Sequence, residues 1–216
     1  MKMDRIIEKR RLASPFVTPQ ALAFQGKQLW ISSRDLGRLY QIEVENWQVM
    51  KEIESPGKVW AAVSLGEEMR LTIGEGPDDD RCIYRHAPGG GFERLFACPE
   101  FTGSYLSFDG EHLYLSQWYQ KRILKLDPAG KVLGEIAIGA EICGHVFAGG
   151  SLYVLRGVEQ PDEVWRIAKV DLCQKTPVIA DLATVPFACR SLAFDGVNFW
   201  SNHRASNETV CFALPH

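Results

Sequence analysis

The chain has 216 residues, 46% of them hydrophobic, and a formal net charge of −3. That length and apolar content suit one single-core domain or two small ones. The small net charge, without a long run of like charges, gives no support to binding of nucleic acid or a membrane surface. The N-terminal stretch MKMDRIIEKRRLASP has no apolar signal-peptide core, and no apolar run reaches membrane-spanning length. We therefore expect a soluble, cytoplasmic protein.

Five segments of one pattern follow each other along the chain, each with two apolar strands around a turn glycine. Glycine takes the positive φ that a tight hairpin turn requires. The segments align without a gap and recur roughly every forty residues, which indicates a solenoid, a propeller or an array. In chain order they are LAFQGKQLWI (22–31), AVSLGEEMRL (62–71), LSFDGEHLYL (106–115), HVFAGGSLYV (145–154) and LAFDGVNFWS (192–201).

Two further strands are predicted after most hairpins. The third strands are RLYQIEV (38–44), RCIYRHA (81–87), RILKLDP (122–128), EVWRIAKV (163–170) and TVCFALP (209–215). The fourth strands are WQVMKEIES (47–55), FERLFAC (92–98), KVLGEIAI (131–138) and TPVIADLATV (176–185). Four meandering antiparallel strands in about forty residues are typical of a β-propeller blade. We predict one all-β domain over 1–216, a five-bladed β-propeller with blades at about 17–56, 57–99, 100–140, 141–186, and 187–216 together with 1–16.

The two ends of the chain predict how the ring closes. The last unit stops after its third strand, and residues 5–14 precede the first inner strand as residues 178–187 precede the last one. We therefore expect residues 5–14 to supply the missing fourth strand. One alternative is a short N-terminal helix, because Arg, Glu and Lys favour helix. Another is a β-sandwich, which does not explain five equal units.

The repeated hairpin, with its Phe-Asp-Gly turn at 108–110 and 194–196, carries a family resemblance. It resembles the FDG-x-x-LW hairpin of NHL-repeat, gluconolactonase-like (SMP-30-like) and strictosidine-synthase-like propellers. Five blades are also similar to the plant-type glutaminyl cyclotransferases. The likeness covers nearly the whole chain but lies in structural residues, so it implies the fold rather than an activity.

In a propeller, the loops that enter the inner strands and those that join the second and third strands meet on one face, around the central channel. The residues at these places differ from blade to blade. We expect a ligand site among Gln20, Arg34, Trp60, Ser104, Tyr105, Gln117, Trp118, Cys143, Arg156, Arg190, His203 and Arg204.

Arginine and aromatic side chains, with Tyr119 among the aromatic ones, dominate this predicted site. Guanidinium groups pair with carboxylate or phosphate oxygens, and aromatic rings stack on planar molecules. The pattern predicts a small-molecule ligand that is anionic and partly planar or aromatic. Two alternatives stay open. The arginines could pair with nearby acids, Asp35, Glu75, Glu100 and Glu141, around a water-filled hole, or the disc could serve as a scaffold for a protein partner.

The resemblance to gluconolactonase-like propellers implies a divalent metal held by carboxylate and amide oxygens at the inner-strand starts. Those positions carry no carboxylate in this chain, so we expect no metal and no cofactor. A metal-independent enzyme, such as a lyase, a lactone hydrolase or a cyclotransferase-like protein, is the main alternative function, with His203, Cys143 and Glu75 as catalytic candidates. The GEG at 74–76 matches a cyclotransferase tripeptide, but it follows a second strand instead of preceding an inner one.

Six cysteines occur singly, without CxxC spacing, which favours free and mostly buried thiols over three disulfides. Cys143 and Cys189 begin neighbouring inner strands, so their thiols are expected to lie close together. A zinc site with His145 or His203 is an alternative. His145, however, occupies the register of Leu22 and is better interpreted as a packed core residue.

Overall fold

A computed structural model describes residues 3–174 and 176–215, so residues 1, 2 and 216 of the expected fifth blade lie outside the described residues. Within the described part, the strands form five sheets of four antiparallel strands each. Blade one contains β2 (Pro19–Gln25), β3 (Gln28–Ser33), β4 (Arg38–Glu43) and β5 (Gln48–Glu54). Blade two contains β6 (Lys58–Leu65), β7 (Glu68–Glu75), β8 (Asp80–His86) and β9 (Phe92–Ala97).

Blade three contains β10 (Leu106–Phe108), β11 (Leu113–Gln117), β12 (Arg122–Leu126) and β13 (Val132–Ala137). Blade four contains β14 (Glu141–Ala148), β15 (Ser151–Val158), β16 (Val164–Asp171) and β17 (Val178–Val185). Blade five contains β18 (Cys189–Phe194), β19 (Phe199–His203), β20 (Glu208–Ala213) and, at its outer edge, β1 (Ile7–Ala13). The predicted five-bladed β-propeller is confirmed.

The N-terminal strand closes the ring. β1 pairs antiparallel with β20, with Arg11 opposite Val210. Just before β1, the backbone N–H of Ile6 donates to the carbonyl of Thr184 at 3.1 Å, and the N–H of Thr184 donates to the carbonyl of Asp4 at 2.8 Å. The start of the chain is therefore bonded to blades four and five. Closure by a strand within residues 5–14 is confirmed, and the alternative of an N-terminal helix is wrong.

The repeated hairpin sequence forms a turn that is tied to the second strand. The turn glycines of all five hairpins have positive φ values, from 56° to 103°. In blade five, Asp195 Oδ1 accepts the backbone N–H groups of Val197 at 2.8 Å and Asn198 at 2.7 Å, while Oδ2 accepts the indole N–H of Trp200 at 2.7 Å. Asp109 makes the equivalent bonds in blade three. The repeat thus has a structural role.

Neighbouring blades approach each other closely along the channel. A Cβ atom added to Gly144 on β14 would lie 2.5 Å from the carbonyl carbon of Ser191 on β18. Real Cβ atoms do not approach other carbon atoms so closely, and packed interiors leave no room for the excess. Glycine at this position therefore lets blades four and five come into contact.

His145 is packed between blades three and four. It is fully buried, its Nδ1 accepts the hydroxyl of Ser107 at 2.7 Å, and its Nε2 donates to the carbonyl of Tyr105 at 3.1 Å. This bonding assigns the neutral tautomer with the proton on Nε2. Burial lowers the pKa of His145 from 6.5 to about 4. The interpretation of His145 as a core residue is confirmed.

Helical structure is confined to short turns. The described segments contain two three-residue 3-10 turns, Pro99–Phe101 and Arg204–Ser206. No helix in this part of the chain is long and apolar enough to cross a membrane. Both turns lie where the channel opens beside the inner-strand starts, and they place Phe101 and Arg204 on that face.

Candidate functional site

A cavity of about 230 Å³ opens at the end of the channel where the inner strands begin, which we call the mouth. Blades two to five all contribute side chains to it. Six of its lining residues belong to the predicted site: Trp60, Ser104, Tyr105, Trp118, Arg190 and Arg204. The other lining residues are Arg81, Tyr119 and Glu159. Inner-strand starts and the loops between second and third strands thus converge as propeller geometry predicts.

Arg190 is buried at the mouth and is paired with two carboxylates. Its Nη1 donates to Glu163 Oε1 at 3.0 Å, and its Nη2 donates to Glu159 Oε1. The guanidinium also lies over the rings of Trp118 and Trp165, 5.7 Å from each centroid. Its positive charge is therefore balanced by carboxylates of the protein itself, and Arg190 forms a fixed part of the cavity wall.

Arg81 is a second neutralised arginine of the mouth. It donates to Asp79 Oδ2 at 2.9 Å and to the carbonyl of Gly103 at 3.2 Å, and it stacks on Trp60 with 3.8 Å from Cζ to the ring centroid. The indole N–H of Trp60 donates to Asp79 Oδ1 at 3.1 Å. A Cβ on Gly74 would lie 1.6 Å from that same Oδ1. Gly74 therefore makes room for the acid that holds both side chains.

Arg204 differs from these two arginines in its partner. Its Nη1 donates to Oε1 of Gln20, a neutral amide. Gln20 is itself held in place, because its Nε2 donates to the carbonyl of Trp60 at 3.2 Å and to the hydroxyl of Tyr105 at 3.4 Å. Among the residues that the structure describes, no carboxylate oxygen lies within 4.0 Å of the Arg204 guanidinium.

The electrostatic surroundings of Arg204 are unfavourable for its charge. Burial lowers the pKa of Arg204, and the positive charges of Arg190 and Arg34 lower it further, whereas Tyr105 and the carboxylate of Glu159 act in the opposite direction. A guanidinium nevertheless stays protonated in proteins. Among the described residues, the mouth therefore contains a half-buried guanidinium that is not bonded to a carboxylate, since Glu159 in the same lining is bonded to Arg190.

Three predicted site residues lie outside the cavity lining, although the Arg34 guanidinium is 5.9 Å from the Trp60 ring centroid. Arg34 Nε donates to Asp35 Oδ1 at 2.7 Å, which is one of the pairings expected under the ion-pair alternative. Arg156 Nε donates to Asp181 Oδ1 at 2.8 Å on the blade-four sheet. Gln117 is buried, and its Nε2 donates to the carbonyl of Pro99 at 3.0 Å. Gln117 thus supports the turn beside the mouth.

The thiols of Cys143 and Cys189 meet beneath the mouth, with 3.0 Å between the two Sγ atoms. Both residues are fully buried and are free cysteines. Burial raises the pKa of Cys143, and the hydrogen bond with Cys189 raises it further. Cys143 is therefore a protonated thiol at neutral pH, and it does not line the cavity.

The other two catalytic candidates also lie outside the cavity lining. His203 packs against Phe187, with 5.5 Å between ring centroids, and its Nδ1 lies 3.3 Å from Glu208 Oε2. Glu75 accepts the hydroxyl of Tyr84 at 2.5 Å and Nε of Arg94 at 2.8 Å. The Tyr84 bond lowers the pKa of Glu75 against the opposing effect of burial. Both groups are engaged within their own blades.

The sequence reading missed Arg81 and Glu159. A signal for Arg81 existed, because an arginine stands opposite the end of the second strand in three blades, at Arg38, Arg81 and Arg122. Glu159 lies in the loop after β15, where the register does not repeat, so the repeat offered no signal for it. In residues 3–174 and 176–215, no three His, Cys, Asp or Glu side chains converge as a metal-ion site.

No family model matches the chain, and no curated protein matches it. Solved structures do match in fold. Glutaminyl cyclase of Myxococcus xanthus has a TM-score of 0.70 at 15% identity and covers 99% of this chain and 98% of its own. The calcium-binding protein regucalcin of Agrobacterium tumefaciens has a TM-score of 0.63 at 12% identity and covers 99% and 96%.

Virginiamycin B lyase of Staphylococcus aureus has a TM-score of 0.56 at 13% identity, and the match covers 95% of this chain and 99% of the lyase. At such identities, similarity establishes the fold and carries no residue roles. The chain is a five-bladed β-propeller whose architecture is similar to those of two enzymes and a calcium-binding protein.

Proposed function

We propose that the mouth binds a small molecule with an anionic group and that Arg204 is its anchor. One observation carries this proposal. Arg204 is a half-buried guanidinium bonded to the neutral amide of Gln20, whereas Arg81 and Arg190 pair with carboxylates. A ligand carboxylate or phosphate would supply the negative charge that Arg204 lacks.

The physical gain is substantial for one contact. A charge-assisted hydrogen bond contributes about 1.5–3 kcal/mol, and a guanidinium can make two parallel bonds to one carboxylate. The repulsion from Arg190 and Arg34, which lowers the pKa of Arg204, would also be relieved by an anion. Neutral analogues of the ligand would gain neither effect.

The walls of the cavity favour a partly planar or aromatic ligand. Trp60, Trp118 and Tyr119 all line it, and Tyr119 is 86% exposed. Aromatic rings gain about 0.5–1.5 kcal/mol per offset or edge-to-face contact beyond area burial. The cavity volume of about 230 Å³ has room for a small anionic group and part of a planar ring, and not for a polymer.

Thermal unfolding in the presence of small carboxylates and phosphates, each paired with its neutral amide or alcohol, tests this proposal. We expect stabilisation by at least one anion and its loss in Arg204→Gln. Arg38→Gln is the matched control, because Arg38 is an exposed arginine that pairs with Glu52 on the blade-one sheet. Stabilisation that survives in Arg204→Gln would refute the anchor. Indifference to every anion, together with a protein captured in pull-downs, would favour the interaction-scaffold alternative.

Enzymatic activity at the same cavity is the second candidate. Glu159 supplies a carboxylate to the lining, and a glutaminyl cyclase matches over nearly the full length of both chains. A cyclotransferase-like reaction would release ammonia from an N-terminal glutamine. Mass spectrometry of a peptide with that terminus tests it. Glu159-dependent loss of ammonia would favour this candidate, and an unchanged peptide mass would remove it.

A further inference from the structure

A second cavity, of about 220 Å³, adjoins the mouth between blades two and three, and we call it the side compartment. It shares Arg81, Ser104, Trp118 and Tyr119 with the mouth cavity. Either cavity alone is smaller than typical ligand sites, which begin at about 300 Å³, whereas the two together fall within that range. A ligand of ordinary metabolite size would therefore extend from one into the other.

Three aromatic side chains line the side compartment. Phe101 is 55% exposed there, next to Trp118 and Tyr119. The turn that presents Phe101 has positive φ at two successive non-glycine residues, 58° at Glu100 and 53° at Phe101. Such conformations are sparsely populated and persist where the surroundings fix them.

This turn is fixed by hydrogen bonds from Gln117 on β11 and by one bond of its own backbone. The side-chain amide of Gln117 donates to the carbonyl of Pro99 at 3.0 Å and to the hydroxyl of Thr102 at 2.9 Å. The N–H of Phe101 donates to the carbonyl of Cys98 at 2.9 Å. The buried side chain of Gln117 thus holds this turn in place, and with it the Phe101 ring at the wall of the side compartment.

The charges of the side compartment differ from those of the mouth. Its arginine, Arg81, is already paired with Asp79. Asp78 adds an exposed carboxylate at the edge. This end of the combined site therefore repels anions and suits an uncharged ring.

We propose that the combined site takes an aromatic carboxylic acid, with the carboxylate on Arg204 and the ring against Phe101, Trp118 and Tyr119. This inference rests on the proposed function, because it assigns the anionic end of the ligand to the mouth. It adds the chemical class of the other end and the residues that recognise it.

Three matched ligands separate the two ends: propionate, 3-phenylpropionate and 3-phenylpropionamide. Ligand-observed NMR measures their Kd values even in the millimolar range. We expect the phenyl ring to tighten binding by about tenfold or more, as one or two aromatic contacts would. We expect the acid to bind about tenfold or more tightly than the amide, as one charge-assisted bond would give.

Variants then locate each effect. Phe101→Ala combined with Tyr119→Ala should bring the Kd values of phenylpropionate and propionate together. Phe101→Ala alone, at a residue that lines only the side compartment, should leave the Kd of propionate unchanged. Arg204→Gln should remove the preference for acid over amide. Leu133→Ala, which truncates an equally exposed apolar side chain on β13, should change neither preference.

The outcomes distinguish the two proposals. Equal binding of propionate and phenylpropionate, or a ring preference that survives the loss of Phe101 and Tyr119, would overturn the side compartment and leave the mouth intact. Equal binding of acid and amide would overturn the anionic anchor, whatever the ring does.

Discussion

The two ends of the channel are built by the same five inner strands, yet they differ in how far their residues repeat from blade to blade. At one end the same residue type recurs in four of the five blades, with Phe24, Phe108, Phe147 and Phe194 lining a cavity of about 180 Å³. At the other end, where the inner strands begin, every blade has a different residue: Gln20, Trp60, Ser104, Cys143 and Arg190.

This contrast separates the requirements of packing from those of recognition. Equivalent blades bury equivalent surfaces against their neighbours, so packing favours one residue type at each position. A small molecule has no fivefold symmetry, and a site for it must place different groups in different blades. Repetition therefore marks the frame of this propeller, and divergence marks the candidate site.

Truncating the frame should give the largest effect on stability. Leu22 on β2 is almost fully buried, and its register position is leucine again in blades three and five. Leu22→Ala should lower the free energy of unfolding by about 2–5 kcal/mol, because it leaves a cavity in a packed core. Urea unfolding measures this loss. Arg204→Gln at the mouth should lower the same quantity by less than about 1 kcal/mol, and equal losses at both ends would contradict the contrast.

His145 breaks the repetition of that leucine position, and this exception should make stability depend on pH. The unfolded chain binds a proton on this side chain below pH 6.5, but the folded protein binds it only below about pH 4. Stability therefore falls as the pH drops through this window, by about 3 kcal/mol for this group at roughly 1.4 kcal/mol per pKa unit.

Chemical unfolding of the wild type and of His145→Leu across pH 4 to 7 measures the difference. Carboxylates that titrate in the same window contribute to both proteins, so the informative quantity is the difference in slope. The variant should lose less stability on acidification than the wild type. Parallel curves would show that His145 does not carry this dependence.

Gly144 tests the close contact between blades four and five along the channel. Gly144→Ala would press a methyl group onto the backbone of Ser191, and it should lower the free energy of unfolding by about 1–3 kcal/mol. Gly134→Ala is the matched control, because nothing lies within 4 Å of its added Cβ and its φ is not positive. We expect that control to be neutral or slightly stabilising. An equal loss of unfolding free energy in both variants would point to the conformational preference of alanine rather than to contact between the blades.

The sequence predicted the fold well because a repeat reports the same packing solution five times. The Phe-Asp-Gly turns located the strands. The missing fourth strand of the last unit predicted the closure by β1. Only the structure shows that Asp195 and Asp109 tie their turns to an aromatic residue of the second strand.

The site was predicted only in outline, because side-chain pairing depends on distances that the repeat does not encode. Gln117 was expected at the ligand and instead supports the Phe101 turn. Arg190 was expected among the ligand contacts and is satisfied by Glu159 and Glu163, both in the loop region after β15. Only the contact geometry distinguishes Arg204 from the other arginines.

A crystal structure with 3-(4-bromophenyl)propionate bound tests the account most directly, because bromine gives an anomalous signal that locates the ring. We predict a carboxylate within hydrogen-bonding distance of Arg204 and a bromine peak among Phe101, Trp118 and Tyr119. A bromine peak at the phenylalanine-lined end of the channel, or only on the outer strands of the blades, would contradict the assignment of the ligand site to the mouth.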